Sequence, residues 1–462
     1  MTINNNPLPA WLGRGELSRR KLIQQSAIVG GVVSTMALAG CAEADATSVP
    51  FVPGGPLSVG VFSHFEELDR TLTASYPAEI TFEPMVADNH RDQIVSALRA
   101  GSSPWDVIPL WSFLTPDMAH RGWLADLTDR VREEFGEDFS DIVGGKGPFM
   151  NGFYNGKIYG VPVDVGGTIL HWNKQLMTER GLDPEAPNTW HEEPGSINDF
   201  VEYAKALTFE KDGVPHWGFS DNWGEQAAIS FNTFIQMHGG ECMDLSGGDA
   251  FGRISFNDDP GVEALQFMVD LLHKHKVVDP ASVTYNWVFD ILPGYLDGRV
   301  GFLKTWPFVA AVAQDTTQSK VPGLVGFAPN FSAVTSATSQ DPHFVAIPAT
   351  APAGVDAAWD YIKNRLSLPV QRQQAEAGSW APIYSELYQE PAIRELFTTG
   401  DVIVKSLEYP SAVSATPDLQ EWRSTLNAAI SRALTLQLSP AEALNQAAEQ
   451  VTANRNAGSA RG

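Results

Sequence analysis

The sequence predicts an α/β fold in two domains. Three observations carry this reading. Short apolar strands alternate with amphipathic helices over the first third of the chain, the pattern of a parallel sheet covered by helices. After residue 167 the alternation changes character and longer helical stretches take over. The chain has 462 residues, and the part beyond residue 40 has the length of two domains. Composition is ordinary for a globular protein, 43% hydrophobic and 19% charged.

The first strand is Leu57–Phe62. Phe65, Leu68 and Leu72 then recur at helical spacing until Tyr76-Pro77 stops the helix. Ile80–Met85 is a second strand. Asp88 is placed to cap a helix whose apolar face is Ile94, Val95 and Leu98 and which Gly101 closes. Trp105–Leu110 is a third strand, followed by Gly122-Trp123-Leu124-Ala125-Asp126-Leu127-Thr128. Tyr154-Asn155-Gly156-Lys157 has turn chemistry, because Asn and Gly tolerate positive φ. Ile158 and Val161 start a strand, Pro162 ends its pairing, and Gly166-Gly167 allow a bend before Ile169-Leu170. Later helices are expected over Asp199–Leu207, Val262–Leu272, Val355–Leu366, Leu419–Leu438 and Pro440–Val451, with further strands at Val300–Leu303, Leu324–Phe327 and Phe344–Ile347. Beyond Thr452 the chain is expected to fray.

The N-terminus reads as an export signal. Ser18-Arg19-Arg20-Lys21-Leu22-Ile23 is close to a twin-arginine motif. The apolar stretch Ala27–Ala39 is shorter than the roughly 20 residues of a membrane-spanning helix and fits a signal-peptide core. Leu38-Ala39-Gly40-Cys41 resembles a lipobox, which makes Cys41 the expected site of lipidation and 42–56 a flexible tether. Cys242 is then left without a partner, so no disulfide supports the mature monomer. The first 40 residues carry four basic and one acidic side chain; with −24 over the whole chain, the remainder bears −27. Such a surface repels nucleic acid.

The run 154–176, Tyr-Asn-Gly-Lys-Ile-Tyr-Gly-Val-Pro-Val-Asp-Val-Gly-Gly-Thr-Ile-Leu-His-Trp-Asn-Lys-Gln-Leu, resembles the signature of the extracellular solute-binding proteins that feed sugar ABC importers (the maltose-binding-protein-like family 1). Gly122–Thr128 and Gly298–Pro307 resemble further segments of the same family, and the resemblance runs in order along the mature chain. It implies a periplasmic-binding-protein type II-like fold, two α/β lobes joined by a multi-crossing hinge. The implied boundaries are 1–40 signal peptide, 41–56 tether, a first lobe of 50–165 plus 329–376, a second lobe of 167–326 plus 380–455, and a tail at 456–462. Crossings are expected near Asp164–Gly167, Phe327–Asn330 and Gly378–Pro382. Ligands of open parallel sheets lie beyond the carboxyl ends of the strands, which puts the site between the lobes.

A neutral sugar needs aromatic planes for its C–H faces and carboxylates or amides for its hydroxyls. The chain has 13 Trp. Trp306 matches the stacking Trp of the family segment. Trp111 and Trp223 end strands, Trp287 precedes a helix, Trp380 lies at an expected crossing, and Trp422 sits on a late helix; all are candidate ligand contacts. Trp105, Trp123, Trp172 and Trp359 are assigned to the core. Asp164 at the first crossing is expected to accept sugar hydroxyls. His64 and Glu66 follow the first strand and Asn89 starts a helix after the second; these join the set. Asp341 and His343 depart from the family pattern, which is Gly-rich there.

The resemblance implies a binding protein rather than an enzyme, with a carbohydrate ligand, ABC permease subunits as partners, a lipid anchor through Cys41, no cofactor or metal, and a monomeric state outside the cytoplasm. Two alternatives stay open. Polyamine receptors share the fold and hold ammonium groups with aromatics and carboxylates. A secreted glycoside hydrolase also uses Trp and needs a carboxylate pair ~5 to 9.5 Å apart.

Overall fold

A computed structural model describes residues 56–459 apart from 87–88, 378–379 and 412. The export signal, Cys41, almost all of the tether, and Asp88 lie outside the described residues. The strands are β1 (Leu57–Phe62), β2 (Ile80–Met85), β3 (Ile108–Trp111), β4 (Phe153–Tyr154), β5 (Lys157–Ile158), β6 (Val161–Pro162), β7 (Ile169–Asn173), β8 (Phe209–Lys211), β9 (Val214–Ser220), β10 (Met243–Asp244), β11 (Arg253–Ile254), β12 (Val300–Thr305), β13 (Val325–Ala328) and β14 (His343–Ala346).

They build two principal sheets. In the first, β2 and β1 run parallel, a bridge from Val59 to Val107 links β1 to the β3 edge, and β14 lies antiparallel between β3 and β6. The second has the order β13-β7-β12-β9-β8, with β12 parallel to β9 and β7 antiparallel between β12 and β13. The sheets are thus mixed rather than purely parallel; apart from the β8–β9 hairpin, the mixing has one shared reason. Parallel strands end at the edge facing the other lobe, so a strand that arrives from that lobe enters there and runs the opposite way. β7 and β14 are those arriving strands.

Alternation along each strand feeds a core on both faces. In the first lobe Phe344 and Ala346 join a cluster with Met85, Ile108 and Leu110, while Ile347, with Val345 packed beside it, joins Val59, Val161 and Trp359. In the second, Leu170, Trp172 and Phe302 face one cluster, and Leu303 and Val325 face the other. The segment Trp172-Asn173-Lys174 has a local cause. Asn173 closes β7 and its Oδ1 accepts the Leu176 N–H at 2.9 Å, which starts the helix Lys174–Glu179. Gly326 pairs opposite Trp172, where any Cβ would run into the indole. At the β4–β5 hairpin, Asn155 and Gly156 both take positive φ, +48° and +74°.

The chain passes between the sheets over 163–168 and again over 329–342. The third passage differs from expectation. Ala381, Ile383, Tyr388 and Ile403 belong to the first-lobe core, whereas Val413, Ala415, Leu419 and Trp422 pack in the second. The passage therefore lies near 408–418 rather than at Gly378–Pro382. Apolar residues at 381, 383, 388 and 403 bury in the nearer core, which holds the chain there for longer. The three passages lie side by side. Gly167 bridges Gln340, and the N–H groups of Thr338 and Gln340 donate to Pro410 O (3.0 Å) and Ser411 O (3.1 Å).

The last helix also corrects an expectation. It runs Pro440–Ser459 instead of fraying after Thr452. Val451 is buried, and Arg455 Nε donates to Asp418 Oδ2 at 2.7 Å, tying the final turns to the body.

Candidate functional site

The carboxyl ends of β1, β3, β9 and β12 and the start of β14 converge on the gap between the lobes. Trp306 follows β12 directly. It is half-buried, packs on the second-lobe cluster around Leu303 and Val309, and its Nε1–H donates to Asp341 Oδ1 at 3.0 Å. Asp341 precedes β14 by two residues, so this bond spans the gap. Next to it a pocket is lined by Phe113, Asn232, Ser339, Asp341, Trp422 and Arg423. The Arg423 guanidinium lies over the Phe113 ring, 4.4 Å from its centroid. Phe113 follows β3 in the first lobe and Arg423 sits on the second-lobe helix Leu419–Leu434, so this contact crosses the gap too. Farther out, the His120 and Phe251 rings meet across it at 5.3 Å. The lobes are closed on each other. The pocket has room for roughly one water.

Burial sets the electrostatics. The Asp341 carboxyl is pushed up to about 6, chiefly by loss of solvent, with the Trp306 hydrogen bond and His343 opposing and Asp164 adding to the rise. Arg423 is lowered to about 10 by burial, against the pull of Asp341. Two further buried pairs stand near the same edge. Lys304 Nζ lies 3.3 Å from Asp221 Oδ2 with both side chains almost fully buried. His343 Nδ1 lies 2.7 Å from Asp164 Oδ2.

The expected site residues divide into groups. Trp306 lies at the gap. His64, Trp111 and Trp380 come together on the first-lobe wall around His343, with ring centroids 6.0, 4.8 and 5.0 Å from it. Burial, with His343 and His90 adding, lowers His64 to about 3. Trp422 lines the pocket, although its indole is buried and donates to Thr416 Oγ1 at 2.8 Å. Three do not fit the expectation. Trp223 is a core residue, 1% exposed, its Nε1–H held by Asp221 Oδ2. Asp164 is 3% exposed and both its oxygens are taken by His343, through the backbone N–H (2.8 Å) and the ring. Glu66 is drawn to Arg70 at 2.8 Å. Asn89 is exposed before the helix His90–Arg99. Trp287 is half-buried before the helix Val288–Leu296, its backbone N–H donating to Asp290 Oδ2 at 3.1 Å.

Sequence reasoning passed over Phe113 and Arg423 and set Asp341 and His343 aside. Phe113 had a signal, since it lies two residues past a strand end. Arg423 adjoins Trp422, but nothing local says that a helical Arg faces a gap.

The profile of the bacterial extracellular solute-binding protein family matches residues 78–371, well over half of the chain. The chain belongs to that family. The solute-binding protein is similar to the diacetylchitobiose-binding protein DasA of Streptomyces coelicolor, 25% identical over 254 residues, which cover 53% of this chain and 54% of that protein. It is also similar to a probable amino-acid ABC transporter periplasmic-binding protein of Sinorhizobium fredii, 23% identical over 275 residues and 58% of each chain. The solute-binding protein thus spans a little over half the length of these curated relatives. Among solved structures, Thermotoga maritima MalE3 with maltose bound superposes with a TM-score of 0.70 at 23% identity, over 86% of this chain and 99% of that one. The fold is the two-lobed periplasmic-binding type that the resemblance implied. No described helix is long and apolar enough to cross a membrane.

Proposed function

We propose that this solute-binding protein is the receptor of an ABC importer, capturing an uncharged mono- or oligosaccharide between its lobes and passing it to membrane permease subunits. The observation that carries the reading is the meeting of Trp306, Asp341, Arg423 and Phe113 at the gap. Aromatic faces suit sugar C–H groups, and a carboxylate opposite a guanidinium suits hydroxyls, which both donate and accept. The charge pattern favours a neutral ligand. Asp341 accepts from the Trp306 indole, Asp221 is paired with the buried Lys304, and both oxygens of Asp164 are taken by His343, so each of these carboxylates is already engaged within the protein, which disfavours a polyamine. The bound ligands of DasA and MalE3, a chitobiose derivative and maltose, fit the same class. Capture without turnover, export by the twin-arginine-like signal and anchoring through Cys41 complete the proposal.

The test is a melting-temperature screen of the purified chain against maltose, N,N′-diacetylchitobiose, spermidine and neutral amino acids, with product analysis of the sugars. A saturable shift with an unchanged sugar supports the reading. A shift with spermidine or an amino acid alone, or sugar cleavage, overturns it.

A further inference from the structure

Asp164 has the position of a ligand-binding carboxylate, yet its geometry points it at another residue. Its Oδ1 accepts the backbone N–H of His343 (2.8 Å) and its Oδ2 lies 2.7 Å from His343 Nδ1. A carboxylate only accepts, so Nδ1 carries a ring proton, and in the neutral imidazole Nε2 is the acceptor. His343 is the first residue of β14, paired opposite the half-buried Trp111. Asp341 lies two residues earlier, just before the strand begins, and close enough for His343 to act on its carboxyl. Phe65, Trp111 and Trp380 surround the imidazole at 4.8 to 5.0 Å. It is an oriented polar group set in an aromatic wall beside the gap.

We infer that His343 Nε2 accepts a hydrogen bond from a ligand hydroxyl, and that Asp164 is a positioning residue that fixes the tautomer making this possible. The inference rests on the carbohydrate reading above. It gives the cleft a polarity. The first-lobe wall offers acceptors, Asp341 and His343, while the second lobe offers donors, Arg423 and Trp306. The ligand must donate to one lobe and accept from the other. A free hydroxyl does both, whereas a methyl ether only accepts and is refused at His343.

Asp164→Asn discriminates this role from a structural one. The His343 backbone N–H still requires an acceptor, so the oxygen of the introduced amide stays on it and the amide NH₂ faces Nδ1. The ring proton then moves to Nε2, turning the acceptor into a donor with little change in shape. The experiment is ¹⁵N-histidine NMR of the full chain, with maltose and N,N′-diacetylchitobiose as probes, alongside calorimetric affinities. Support is a bound sugar that moves the His343 Nε2 resonance, an Asp164→Asn chain in which the protonated nitrogen is Nε2 and affinity falls about tenfold, and a smaller loss for His343→Gln than for His343→Leu. If a probe binds while Nε2 stays unmoved, or Asp164→Asn binds as the parent does, the inference fails and the receptor reading stands. If neither probe nor any other sugar binds, the receptor reading fails and takes the inference with it. Should His343→Leu not fold, the near-isosteric Asp164→Asn chain and the resonances decide.

Discussion

The indole N–H of Trp306 and the carboxylate of Asp341 are bonded at 3.0 Å, joining the end of a second-lobe strand to the segment that enters the first lobe. A ligand that stacks on Trp306 must compete with this bond and with the Arg423–Phe113 contact. Closure is therefore partly satisfied by the protein's own groups, and a ligand shifts the lobes only by its differential affinity for the two states.

Trp306→Ala removes the aromatic plane. The expected loss is about 2 kcal/mol of binding, roughly 30-fold in Kd, with a small change in the melting temperature of the unliganded chain because Trp306 is only half-buried. Titration calorimetry with the best sugar of the screen checks it; unchanged affinity removes Trp306 from the site.

Asp341 gives a pH signature. Its folded value is raised to about 6, mainly by burial, so between pH 4 and 6 the native state holds more of a proton than the unfolded chain. Linkage then makes stability fall as pH rises through that window. Asp341→Asn should gain on the parent as pH goes from about 4 to 6.5, by at most about 2 kcal/mol after allowance for residual solvent contact. Urea midpoints of both chains across that range measure the difference.

His64 acts in the opposite sense. Its folded value is lowered to about 3, so the unfolded state takes up a proton first and stability is lost as pH falls from 6.5 toward 3. His64→Gln should flatten that loss relative to the parent, leaving the Asp341 effect in place. Midpoints at pH 7 and pH 4.5 for both chains suffice, and identical slopes would disprove the assignment.

The Lys304–Asp221 pair, buried at 3.3 Å, predicts strong non-additivity. Asp221→Asn leaves a buried ammonium short of its counter-charge and should cost about 3–5 kcal/mol. Lys304→Met in that background should recover part of the loss, because the orphaned charge is gone. A double-mutant cycle by denaturant unfolding reads the coupling, and additive losses would show the pair to be inert.

Strands and turns were legible wherever periodicity and punctuation agreed, as at Leu57–Phe62 and Asn155-Gly156, whereas the Asn173 cap was not read. The antiparallel insertion of β7 and β14 was not, since strand direction depends on which lobe the chain arrives from. The third passage was misplaced because Gly378–Pro382 looks like a hinge, while burial of Ile383 and Ile403 in the first-lobe core decides the matter. Trp306 was legible through its motif. Asp164 was legible as polar and placed at the crossing, but its partner His343 lies 179 positions away, and no local pattern couples the two.

The insertion of β14 between β3 and β6 has a consequence for biosynthesis. The first sheet stays one strand short until residue 346 has left the ribosome, by which time every strand of the second sheet has been made. Neither half is a contiguous stretch of gene product, so cutting the chain at the first passage should yield two fragments with incomplete sheets rather than two stable proteins.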